Sequence, residues 1–271
     1  MKKNILILAF LIGFVFSVFA EKYKLSEDFL YDVSRGLERG HEIVTWGGVN
    51  TDVDLSGVYL NDWGGTFTFM TNAQTIRIYS SSTNDTYTGT GAKVLLVGGL
   101  SSNWLEQTEG IAMGGTGYVT TVNAYLRINQ LQVVIAGSGH INDGNITAEA
   151  LQPTTNTQMY ITSNTGIGMR GGYAVPKNKI LHVLSTDISF APPSGSATFS
   201  SSPLLQLLNF SLETDNFVTA SLSPIYLTGS KYLPMHLEPL EGPMDFHYFI
   251  GGATATNTII SVTATGILEE K

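Results

Sequence analysis

Five histidines, at positions 41, 140, 182, 236 and 247, are the side chains of widest chemical range in this sequence. Imidazole serves as a general base or a metal ligand near neutral pH. A zinc site, however, needs its ligands at short fixed spacings, such as two histidines one helical turn apart. None of the five falls in such a spacing. The densest grouping is His236 and His247 with Glu238, Glu241 and Asp245 between them. Surface polar residues of strands and loops account for that grouping more simply than a metal does. His182 lies in the apolar run Ile180–Leu184 and reads as an ordinary strand residue.

Paired carboxylates are the next candidates. Asp52 and Asp54 flank Val53, so on a strand both would point to one face. Glu106 and Glu109 stand close in an irregular segment. Glycoside hydrolysis needs two carboxylates a few ångströms apart across a cleft, and sequence spacing alone does not build that. A serine nucleophile has no Gly-x-Ser-x-Gly elbow to sit on; Gly137-Ser138-Gly139 and Gly195-Ser196 read as turns. Gly89-Thr90-Gly91 imitates a phosphate loop, yet no Gly-Lys-[Ser/Thr] follows and the chain enters a strand instead of a helix. Asn84-Asp85 and Asn142-Asp143-Gly144 carry turn chemistry and lack the regular oxygen ligands of a calcium loop. The sequence therefore assigns no catalytic, cofactor-binding or metal-binding residue and implies no cofactor. The aromatic side chains leave one binding option: Trp46, Trp63 and Trp104 are candidates for stacking on a sugar ring, with core packing as the default.

Composition fixes what must position these residues. Charged residues make up 13% of the chain, about half the ordinary share. Glycine, threonine, serine and asparagine fill the difference and favour turns and polar strand faces. The net charge of −8, with no long lysine or arginine cluster, argues against a nucleic-acid partner. Absence of cysteine excludes disulfides, thiolate metal sites and a thiol nucleophile. Residues 1–20 have a basic start, an apolar run and small residues at its end, which predicts a signal peptide or a membrane anchor. A membrane partner is expected only if that segment is retained.

In residues 21–44, Leu25, Phe29, Val33 and Leu37 recur at fourfold spacing and predict an amphipathic helix or arm, with Ser26 as N-cap. Beyond Thr45, β-branched and aromatic runs alternate with turn residues, among them Thr66–Met70, Thr75–Tyr79, Lys93–Val97, Tyr125–Ile135, Ile180–Phe190 and Asn257–Leu268. Many short strands at this spacing predict an all-β fold of one or two antiparallel, jelly-roll-like β-sandwiches. The polar stretch 151–157 is the expected boundary, giving a first sandwich over 45–151 and a second over 158–271.

Four stretches, in order, resemble uncharacterised virion structural proteins of marine tailed bacteriophages. They are Ser82–Leu100, then Ala124–Asn129 with Ala136–Ser138, then Asn142–Thr147, then Tyr173–Lys179; the closing run Thr254–Leu268 is similar as well. The resemblance implies a β-sandwich subunit of a virion, acting through contacts with copies of itself and other virion proteins, without catalysis. Its expected location is the virion, or the periplasm or cell surface if residues 1–20 work as a signal. The competing expectation is a secreted or cell-surface carbohydrate-binding β-sandwich protein with a glycan partner.

Overall fold

The computed structural model describes residues 26–53, 58–64, 67–152, 154–191, 204–211, 216–224, 229–234, 239–250 and 258–271. The expected signal segment, Asp54, His236, Glu238 and the proline-containing stretch 192–198 lie outside the described residues.

The chain divides into two units, residues 1–43 and 44–271. In the first, helix α1 (Ser26–Ser34) is shorter than the sequence predicts. It ends because Gly36 takes a left-handed backbone (φ 68°), which glycine adopts without Cβ strain. The Gly36 amide then donates to Val33 O and the Leu37 amide to Asp32 O, a Schellman cap that satisfies the last carbonyls.

The described remainder is strands and turns. In order they are β1 (His41–Val53), β2 (Val58–Tyr59), β3 (Arg77–Ser80), β4 (Ala92–Leu100), β5 (Glu106–Ala112), β6 (Val119–Thr120), β7 (Arg127–Ala136), β8 (Ile146–Ala150) and β9 (Asn156–Ile161). There follow β10 (Gly172–Val175), β11 (Lys179–Ala191), β12 (Leu204–Ser211), β13 (Asn216–Pro224), β14 (Gly229–Pro234), β15 (Leu240–Glu241), β16 (Met244–Ile250) and β17 (Thr258–Glu270). Among the described residues the protein is thus all-β apart from α1, as the composition predicts. Its long pairings, such as β11 with β17 and β4 with β7, are antiparallel.

Four sheets form two sandwiches. One sheet runs β1-β17-β11-β14, with β15 also on β11; a second runs β10-β16-β12-β13, with β2 on β16. Their facing side chains make one core, in which Trp46, Leu181, Ile188, Phe246, Tyr248 and Val262 meet. Strand β17 shows why the sequence folds this way: from Thr258 to Gly266 it alternates between buried and more exposed positions, so every second residue enters the core. The other two sheets, β6-β3-β8-β9 and β5-β4-β7, enclose a second core around Ile76, Ile78, Leu95, Tyr125, Ile128 and Met159.

The two cores do not follow one another along the chain. Trp46, Val53 and Leu60, which the sequence places in the first sandwich, pack in the core of the C-terminal strands, because β1 pairs with β17 and β2 with β16. Strands β3–β9 are inserted between β2 and β10. The stretch expected as a boundary is a hairpin turn inside the inserted sandwich. Strands β8 and β9 pair across it, and Gln74 holds it by accepting from the Leu151 and Gln152 amides and donating to Gln152 O. Residues 67–70, expected as a strand, have no regular structure. Phe67 and Met70 are buried there regardless, and the Phe67 and Phe69 rings close over His247.

Candidate functional site

The tryptophans occupy three different settings. Trp46 is buried in the first core, against Tyr173 and Phe246. Trp104 is buried beneath the Arg127 guanidinium, whose carbon lies 5.1 Å from the ring centre. Neither ring offers a face to a ligand. Trp63 is half-buried beside Phe67, next to a turn closed by the Gly64 amide on Asn61 O. It alone of the three retains an accessible ring.

The polar candidates are likewise dispersed. Glu106 and Glu109 fall on opposite faces of β5, as residues three apart on a strand must. Glu109 accepts from the Val122 and Asn123 amides, while Glu106 stands 3.8 Å from Lys179. His182 bonds Glu269 at 2.8 Å on the surface of β11. His140 sits in a turn with φ 65°. Glu241 pairs with Lys271, whereas Asp245 and His247 are both buried on β16. Among the described residues, no group of three or more His, Asp or Glu side chains is placed to hold a metal ion.

The structure assembles a buried charged cluster instead. Arg127, on β7 of the inserted sandwich, reaches Asp245 on β16 of the other. Its Nε donates to both carboxylate oxygens (3.0 and 2.7 Å), and Nη2 lies 2.7 Å from Oδ2. Its Nη1 donates to Met70 O and Leu126 O. Arg170 lies nearby, with its guanidinium carbon 4.9 Å from the Phe67 ring centre. Burial pushes the Asp245 carboxyl upward against the pull of the two guanidiniums, and lowers Arg170 to about 10. Burial, then the charges of Arg170 and Arg127, hold the His247 imidazole well below its ordinary range, so it is neutral. Two amide bonds run parallel to this tether: Asn129 Nδ2 donates to Ala174 O and the Ala174 amide donates to Asn129 Oδ1. Nothing in the local sequence signals Arg127 or Arg170, because long-range ion pairs leave no spacing pattern.

A second assembly explains the turn motifs. The fully buried Asp85 carboxylate accepts from Ser80 Oγ and from the amides of Ala92 (2.7 Å), Asp143 (2.8 Å) and Gly144 (2.9 Å). Asp143 in turn accepts from Ser82 Oγ and Asn84 Nδ2. The two glycine turns interlock beside it: the Gly137 amide donates to Gly91 O and the Gly139 amide to Thr90 O. A Cβ at Gly137 would collide with Gly89 O, and one at Gly91 with the Asp85 carboxylate. Asn142 completes the knot by bonding Gly144 O, Thr162 O and the Gly166 amide. Every oxygen of Asp85 is therefore committed to holding backbone, which is a fold-closing role and not a ligand-binding one.

The inserted sandwich also presents an aromatic rim. Tyr118 and Tyr79 meet edge to face at 5.0 Å, and Arg77, bonded to Glu149, lies 4.2 Å over the Tyr118 ring. Tyr118 is 60% exposed and Val122 89% exposed, one on each side of edge strand β6.

No protein-family model matches the chain, and no curated protein is similar to it. Among solved structures, one of infectious bursal disease virus, Gt strain, aligns with 86% of this chain and 77% of its own, at 8% identity and a TM-score of 0.21. A mutant VP2 protein of the same virus, from T=1 particles, aligns with 86% of this chain and 74% of its own, at 9% identity and a TM-score of 0.15. Scores this low carry no argument about fold or function.

Proposed function

We propose that this protein is a virion structural subunit that acts by associating with copies of itself, not by catalysis. The observation that carries the reading is the side of the inserted sandwich where β5 and β6 are both edge strands and Tyr118 and Val122 stand exposed between turns. The two edges are adjacent, since Glu109 of β5 accepts from the Val122 and Asn123 amides that follow β6. Sheet edges carry unpaired backbone donors and acceptors, and apolar side chains beside them supply the buried area of a subunit contact. The insertion suits this use: one sandwich carries the chain on either side of the insertion, and the other presents the β5 and β6 edges within the same compact unit. The sequence resemblance to phage virion proteins supports the same class, and the finer placement among tailed phages belongs to this proposal.

Light scattering of the full chain tests it. Stable oligomers or particles are expected at micromolar concentration. The variant Val122→Glu should lower the assembled fraction at least tenfold with little change in melting temperature, because that side chain is already solvated. Mass spectrometry of purified virions should contain the protein. A chain that stays monomeric and is retained on a glycan array would replace this reading with carbohydrate binding, for which the exposed Tyr118 ring, flanked by Arg77 and Glu149, is the favoured platform.

A further inference from the structure

Arg170 poses a problem of charge that the described residues do not solve. Its side chain is 2% exposed, and Nε, Nη1 and Nη2 are all buried without a hydrogen-bond partner. Its backbone is fixed on two sides by bridges to Gly47 and Asn61, so the side chain enters the interior from a rigid base. One face of the guanidinium lies against the Phe67 ring. The charges of Asp245 and Arg127 act on it, and its own charge acts on His247. Asp245 is already taken up by Arg127, which contacts both of its oxygens. His247 is neutral and adds no negative charge.

Among these groups two guanidiniums face one carboxylate, leaving a net charge of about +1 in the interior. An arginine stays protonated at neutral pH even here. Leaving such a group without hydrogen bonds is strongly unfavourable. An internal water would accept one or two of its N–H bonds but would not balance the charge. A small monovalent anion does both. We propose that the protein holds a halide-sized inorganic anion, chloride under ordinary conditions, against the Arg170 guanidinium beside the Arg127–Asp245 pair. The anion fits the cationic fork of the guanidinium. It acts as a structural ligand, making the join between the two sandwiches electrically neutral.

Two measurements on the full chain decide it. Crystals grown in sodium bromide should show an anomalous peak at hydrogen-bond distance from the Arg170 nitrogens. Thermal unfolding in sodium chloride or bromide, against sodium gluconate at equal ionic strength, should give a saturable rise in Tm of about 3 °C or more, since gluconate is too large to enter. The Arg170→Met variant should lose the difference between the salts. If that variant does not fold, the wild-type comparison still decides. A site holding only water in the bromide crystals, or the same Tm in halide and gluconate, overturns the proposal.

Discussion

Asp62 and His247 show how single buried groups set the response of this protein to pH. Asp62 accepts from the Val49 amide at 2.9 Å, and burial raises its carboxyl to about 6. The folded state therefore keeps a proton there that the unfolded chain releases above about 3.8. Its contribution is fully present below that value and is lost as the pH rises through 6. His247 runs the other way. Its folded form is neutral, while the unfolded chain takes up a proton below about 6.5, so its contribution is present above 6.5 and is lost on acidification. The two slopes oppose each other between roughly pH 4 and 6. Asp62→Asn keeps the acceptor for Val49 but removes one slope. Its stability relative to the wild type should accordingly rise from pH 4 to pH 7, measured by urea midpoints at each pH. A constant difference across that range would remove Asp62 from the account. None of this was legible in the sequence. Asp62 and His247 owe their environments to contacts with distant elements, and a residue's spacing does not encode its desolvation.

At the scale of elements, the knot at Asp85 is the part of the molecule that the sequence showed best. Asn84-Asp85, Gly89–Gly91, Gly137–Gly139 and Asn142–Gly144 all read as turns, and each is one. Their convergence on a single carboxylate was not readable, because turn chemistry is local and the residues joined are as far apart as Asp85 and Gly144. Replacing Asp85 with alanine strands three backbone amides and a hydroxyl at once. We expect Asp85→Ala to cost about 3–5 kcal/mol in chemical denaturation, with Asp85→Asn intermediate because one oxygen still accepts. A loss below about 1 kcal/mol would show that water replaces the carboxylate and that the knot is not a keystone of the fold. Strand β1 illustrates the converse. Gly47 and Gly48 both lie inside the strand. Glycine is required there by close approach, since a Cβ at 48 would stand 2.7 Å from both Gly171 N and Leu60 O. A glycine pair cannot announce from sequence which of its two uses applies.

At the scale of the whole molecule, the insertion of β3–β9 nests one sandwich in the other within a single compact unit, residues 44–271. The join includes the small apolar group Leu100, Trp104, Leu126 and Ala174, the Asn129–Ala174 bonds, the Lys177 amide on Trp104 O, the Glu106–Lys179 contact and the Arg127–Asp245 pair. Composition and alternation forecast one or two sandwiches, but not their nesting. Nesting depends on which strands pair, and β1 could satisfy its alternation against many partners. The ion pair sits where it governs cooperativity, because Arg127 belongs to one core and Asp245 to the other. With the pair intact, opening either sandwich exposes a buried charge, so the two should unfold together. Asp245→Asn leaves Arg127 and Arg170 facing each other with no carboxylate between them, at a cost of about 3–5 kcal/mol. That cost falls on the join and spares the interior of either core. Hydrogen exchange separates the possibilities strand by strand. In the wild type, the most protected amides of β4 and β7 should exchange at the same free energy as those of β11 and β17. In Asp245→Asn the two sets should part by 1 kcal/mol or about that, with calorimetry resolving two transitions in place of one. Equal destabilisation of all four strands would mean that the apolar group at Leu100 and Trp104 suffices to couple the sandwiches without the ion pair.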